Sequence, residues 1–154
     1  MKTIHQWLSE YGESHQDHTN KTIHWICVPL IFFSIVGLLY SIKLPFVIAG
    51  LQLNVAIIVL TLTTIYYMSL SRTLWIGLFL FAVFCLWICS LIEQANFIQL
   101  CLLCIIIFIL AWVGQFYGHK VEGKKPSFLK DIQFLMIGPA WLMSFVYKKL
   151  GIGI

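Results

Sequence analysis

Of 154 residues, 60% are hydrophobic and only 10% are charged; this is more apolar surface than a sphere of that size can bury, with too few polar groups to coat the rest, so a water-soluble globule is excluded. The length suits one membrane domain, 1–154, without a separate soluble catalytic module, so any chemistry falls to the membrane domain itself. Ten Lys+Arg against six Asp+Glu give a formal charge of +4 without a dense basic stripe, which sets nucleic acid aside as a partner.

The chain opens with an arm, 1–20. It is polar and lacks an apolar core followed by a small-residue cleavage site, so it is expected to stay on the mature protein. Thr3 and Gln6 are spaced as a capping box. Ile4, Trp7, Leu8 and Tyr11 recur at i, i+3, i+4 and i+7, the stripe of an amphipathic interfacial helix. If helical phase continues through Gly12, His15 and His18 fall within about 40° of Ile4 at ~100° per residue. Asn20 is placed to N-cap the first span, with His24 in its first turn and Pro29 further in.

Four apolar segments follow at 22–117, near Thr22–Ile42, Pro45–Leu70, Leu74–Ile92 and Phe97–Tyr117. Each has the length of about 20 residues that crosses a hydrocarbon core of roughly 30 Å. Their short connections make them antiparallel neighbours. A polar loop, 118–131, leads to a last apolar segment, Ile132–Tyr147, which is slightly short and carries Gly138-Pro139 near its middle; it is expected to be re-entrant or interfacial. The predicted fold is all-α: a polytopic membrane helix bundle of four full spans, an N-terminal interfacial helix and a C-terminal re-entrant or interfacial helix. Four crossings put Lys2, Lys21, Arg72, Lys120, Lys124, Lys125 and Lys130 on one side and only Lys43 on the other, so the first side is expected to be cytoplasmic.

The histidines are the most informative residues. His15, His18 and His24 lie before or at the mouth of the first span, His119 follows the fourth, and no histidine separates His24 from His119. An even number of crossings returns the chain to the face it left, so the two blocks meet. Imidazole is the commonest ligand of Fe, Zn, Cu and Ni, and a metal site is favoured over histidines that merely sit among headgroups. Glu122, three residues past His119, has three open readings: a ligand, an acceptor that orients an imidazole, or a surface partner of Lys124 or Lys125. Asp17 and Asn20 share that ambiguity. Glu93 is assigned to the far loop. Cys27, Cys85, Cys89, Cys101 and Cys104 all lie in apolar stretches and read as reduced packing thiols. Neither a phosphate loop nor a serine-hydrolase pattern is present.

The stretch YGESHQDHTNKTIHWICVP, Tyr11 to Pro29, resembles the N-terminal signature of the membrane 2-hydroxy fatty acid dioxygenase family, carried here by His15, Asn20, His24 and Pro29. GHKVEGKKPSFLKDIQFLMIGP, Gly118 to Pro139, resembles its second signature through Gly118-His119, Glu122 and Pro126, with Ser127 where a small alanine is expected. The resemblance implies an Fe(II)-dependent enzyme of α-oxidation that uses O₂ to shorten a 2-hydroxy fatty acid by one carbon. It implies His15, His24 and His119 as iron ligands; His18, Glu122 and Asn20 are candidates for the outer shell or for an additional ligand. A 2-hydroxy carboxylate can chelate iron beside three histidines, and Lys120, Lys124 and Lys125 are placed to attract it. The resemblance fits an integral protein of either a bacterial inner membrane or the endoplasmic reticulum.

Two other readings remain open from the residues alone. One is a haem-binding electron carrier using two of the histidines as axial ligands. The other is a small metal-free membrane scaffold or transporter.

Overall fold

A computed structural model describes residues 2–48, 50–123 and 133–154. The arm begins as predicted. In α1 (Ile4–Gly12) the Gln6 amide donates to Thr3 Oγ1 at 3.4 Å, and the Thr3 amide donates to Gln6 Oε1 at 2.8 Å. This capping box fixes a helix that buries Ile4, Trp7 and Tyr11. Helical phase does not continue past Gly12. A turn intervenes, and α2 (His18–Tyr40) starts with Asp17 as its N-cap, the Asp17 carboxylate accepting from the Asn20 amide at 3.0 Å. Asn20 is therefore not the cap. With Asp17 already satisfying that orphan amide, the Asn20 side chain is released into the interior, where it is fully buried.

Among the described residues, three helices are long and apolar enough to cross a membrane: α2, α4 (Leu74–Ala95) and α5 (Leu100–Glu122). The predicted second span differs. Lys43–Ile48 (β1) and Leu51–Asn54 (β2) pair as an antiparallel hairpin, with Ile48 opposite Leu51 and Gly50 at φ +80° between them. Asn54 then caps α3 (Val55–Leu70), accepting from the Ile57 amide at 3.1 Å. Pro45 cannot donate within a helix interior, and Phe46-Val47-Ile48 favours extended backbone. The helix starts after them. Its 16 residues reach about 24 Å at ~1.5 Å per residue, short of a full crossing.

The close partnership is between α2 and α5, and small residues permit it. A Cβ at Gly37 would overlap Cys104 Sγ, one at Gly114 would lie 2.7 Å from Cys27 Sγ, and one at Gly118 2.5 Å from Asn20 Oδ1. The far end of this pair is packed by Val36, Ala56, Leu60, Cys85, Cys89 and Cys104. All five cysteines are free thiols.

At the near end, α5 continues to Glu122 and closes at Gly123, φ +71°. Residues 118–122, expected in a polar loop, are thus its last helical turn, because the left-handed glycine and not the first polar residue ends the helix. Helix α6 (Gln133–Lys149) runs unbroken through Gly138-Pro139; the Met136 carbonyl, three residues before the proline, accepts from the Tyr67 hydroxyl of α3 at 2.6 Å. Phe134 packs on Trp7 and Tyr11. Near the other end of α6, the Tyr147 hydroxyl donates to the Thr73 carbonyl at 2.9 Å and accepts from the Gly77 amide at 3.0 Å. Both ends of α6 therefore touch the same end of the bundle.

Candidate metal centre

Three elements each deliver one imidazole. The turn after α1 supplies His15, the second turn of α2 supplies His24, and the last turn of α5 supplies His119; their residues are 1%, 1% and 4% exposed. The rings meet edge to face, with centroids 4.2 Å apart for His15–His24, 5.0 Å for His15–His119 and 4.9 Å for His24–His119. One ligand atom from each lies within 4.8 Å of the others.

The tautomers follow from backbone partners. His15 Nδ1 is 2.6 Å from the Tyr11 carbonyl and His24 Nδ1 is 2.9 Å from the Asn20 carbonyl. A carbonyl only accepts, so in both rings Nδ1 carries the proton and Nε2 the lone pair. The two Nε2 atoms nevertheless stand 2.8 Å apart. Two buried lone pairs at that distance repel unless a proton or a metal ion lies between them. His119 adds a buried Nδ1 without a hydrogen-bond partner, and it sits in the last turn of α5, where the helix dipole favours positive charge. The donor set therefore fits a metal ion.

The surroundings hold the rings in place. Tyr11 stacks on His15 at 4.3 Å and 9°, and Trp141 packs against the same imidazole. Burial holds the Tyr11 phenol above its ordinary range, so it stays protonated. Glu122 Oε1 accepts from the Gln16 amide at 2.7 Å, and Glu122 Oε2 accepts from Asn20 Nδ2, which also donates to the Ser14 carbonyl. One carboxylate thus ties the His15 turn and the start of α2 to the end of α5.

Not every sequence candidate joins the site. His18, the first residue of α2, is exposed, as is Lys120. Lys124 lies outside the described residues. Two features were not anticipated. An apolar cavity of ≈ 170 Å³ runs from His24 and His119 past Val28, Phe32 and Val36 to Leu39, walled also by α3 and α6. Gln115, 5% exposed, lines it one turn before His119, and its Nε2 has no hydrogen-bond partner among the described residues. A polar residue one helical turn inside a candidate ligand was the only signal for it in the sequence.

Residues 1–150 match the family described as 2-hydroxy-palmitic acid dioxygenase Mpo1-like. The chain belongs to the Mpo1-like family. Among curated proteins and among solved structures, none matches the chain. The match spans both histidine blocks and the helices between them, so it covers everything that builds the centre.

Proposed function

We propose that this Mpo1-like protein is an Fe(II)-dependent dioxygenase that takes a 2-hydroxy fatty acid and O₂ and yields the acid one carbon shorter, CO₂ and water. The observation that carries the reading is a cluster of three buried histidines, two of which, His24 and His119, line one end of an apolar cavity. Imidazole suits iron, and three such ligands leave coordination positions open to a chelating 2-hydroxy carboxylate and to O₂. Iron held there would supply the activation of O₂. The family's description names the same substrate class.

The chain's own residues do the rest. His15, His24 and His119 hold the metal, and the Tyr11 and Asn20 carbonyls keep two of the rings presenting Nε2. Glu122 and Asn20 secure the turn that carries His15. The cavity takes the acyl tail, where each methylene removed from water contributes about 0.8 kcal/mol, and its apolar wall keeps water from the reacting carbon. Lys120 and Lys124 are assigned to drawing anionic acids toward this face. That face is read as cytoplasmic, with α3 and its hairpin together making the second of four crossings, in a bacterial inner membrane or the endoplasmic reticulum.

Haem is less well supported, because axial rings must oppose each other across a macrocycle, whereas these edges converge to 2.8 Å. A metal-free scaffold leaves the convergence of three buried imidazoles without a use. Protein purified anaerobically without a His-tag is expected to carry stoichiometric iron, show no Soret band and convert 2-hydroxypalmitate with uptake of O₂. A strong Soret band, or intact iron without turnover of 2-hydroxy acids of any chain length, overturns the proposal.

A further inference from the structure

The cavity beyond the histidines is lined almost wholly by hydrocarbon, and Gln115 is the exception that has no internal explanation. Its side chain is buried to 5% exposure and its Nε2 has no partner. A buried amide left unpaired is costly, and native interiors rarely keep one without a use. Gln115 and His119 are four residues apart on α5, so they share a helix face, and both line the same cavity as His24. From the end of the helix inward, the order along that face is metal ligand, unpaired donor, then apolar wall. That order matches a single-chain amphiphile lying with its head at the histidines and its tail toward Leu39. A 2-hydroxy carboxylate chelating a metal uses its hydroxyl and one carboxylate oxygen, and this leaves the second carboxylate oxygen without a partner in a dry site.

We infer that the Gln115 side-chain amide donates a hydrogen bond to the carboxylate of an acyl ligand whose tail fills the cavity, and so selects free acids over esters and alcohols of the same chain. The inference rests on the proposed function for the identity of the ligand, while the donor itself is independent of the metal.

The test uses full-length protein in detergent, iron-loaded and anaerobic, with 2-hydroxypalmitate and its methyl ester as probes. Gln115→Met removes the unpaired amide at similar volume. It is expected to keep iron and to raise the thermal midpoint of the ligand-free protein, while weakening the acid about tenfold or more, the size of a hydrogen bond to a charged group. The ester should bind Gln115→Met and wild type alike. Gln115→Glu, nearly isosteric, places a carboxylate against a carboxylate and should weaken the acid further than Gln115→Met does. Acid affinity unchanged in both variants, with iron intact, overturns the inference and leaves the proposed function standing. A lower midpoint in Gln115→Met with unchanged acid affinity also overturns it, by assigning Gln115 to structure. Wild type that binds the acid but does not turn it over once O₂ is admitted, and loses that binding in the variants, upholds the donor and sinks the dioxygenase reading instead.

Discussion

His15 Nε2 and His24 Nε2 face each other at 2.8 Å although each ring donates its Nδ1–H to a backbone carbonyl. The two residues are nine positions apart but belong to different elements, a turn and a helix, so their approach is imposed by packing and not by local helical geometry.

Replacing either of them, or His119, by alanine is therefore expected to remove a ligand and not an ornament. Iron affinity should fall by more than the roughly 10- to 100-fold typical of an outer partner, and conversion of the 2-hydroxy acid should vanish with it. Elemental analysis beside product chromatography checks both. Full iron and full activity in His24→Ala would remove the centre as assigned.

Glu122 and His18, grouped as outer-shell candidates by sequence, separate in the structure. Glu122→Ala breaks two contacts that hold the His15 turn, and iron affinity measured against a competing chelator should drop about 10- to 100-fold. His18→Ala, at an exposed position, should match wild type. Equal losses in the two variants would contradict this division.

Gly37→Ala should destabilise the α2–α5 pair, because the new methyl group overlaps Cys104 Sγ; overpacking of this kind costs about 1–3 kcal/mol. Cys104→Ala should be mild alone and should recover much of that loss when combined with Gly37→Ala, a coupling that thermal unfolding of the four proteins measures. Cys101→Ser, at a partly exposed position, should leave turnover intact. Additive losses in the double variant would place the strain elsewhere.

Topology is tested by labelling single cysteines introduced at Glu13, Gly123 and Gly151, all exposed, in a background without the native cysteines. Impermeant reagent applied outside should miss all three. Labelling of Gly151 alone would mean that α6 crosses, and labelling of only one of the first two would separate the histidine blocks.

The meeting of His24 with His119 was legible because parity survives errors of detail. Where one long span was expected there are a hairpin and a short helix, yet the chain still returns to the end of the bundle it left. The hairpin itself was hidden, since Phe46, Val47 and Ile48 are as apolar as a span and only Pro45, Gly50 and Asn54 mark the change of backbone. Asp17 and Asn20 are both good N-cap residues, and what decides between them is Glu122, 102 positions from Asn20. No local pattern carries that information. Gln115 was hard to single out for a related reason: its spacing from His119 is the one hint, near the end of a span it passes for an interfacial residue, and the cavity wall is what distinguishes it.

The Gln16–Glu122 hydrogen bond joins residues 106 positions apart, which sets an order of events during biosynthesis. His15 and His24 leave the ribosome early but have nothing to close against until the last turn of α5 has been made and inserted. A chain arrested before His119 holds only two of the three imidazoles, and the carboxylate that seats the His15 turn is missing as well. The three-imidazole cluster is accordingly complete only after the last turn of α5 has joined the bundle.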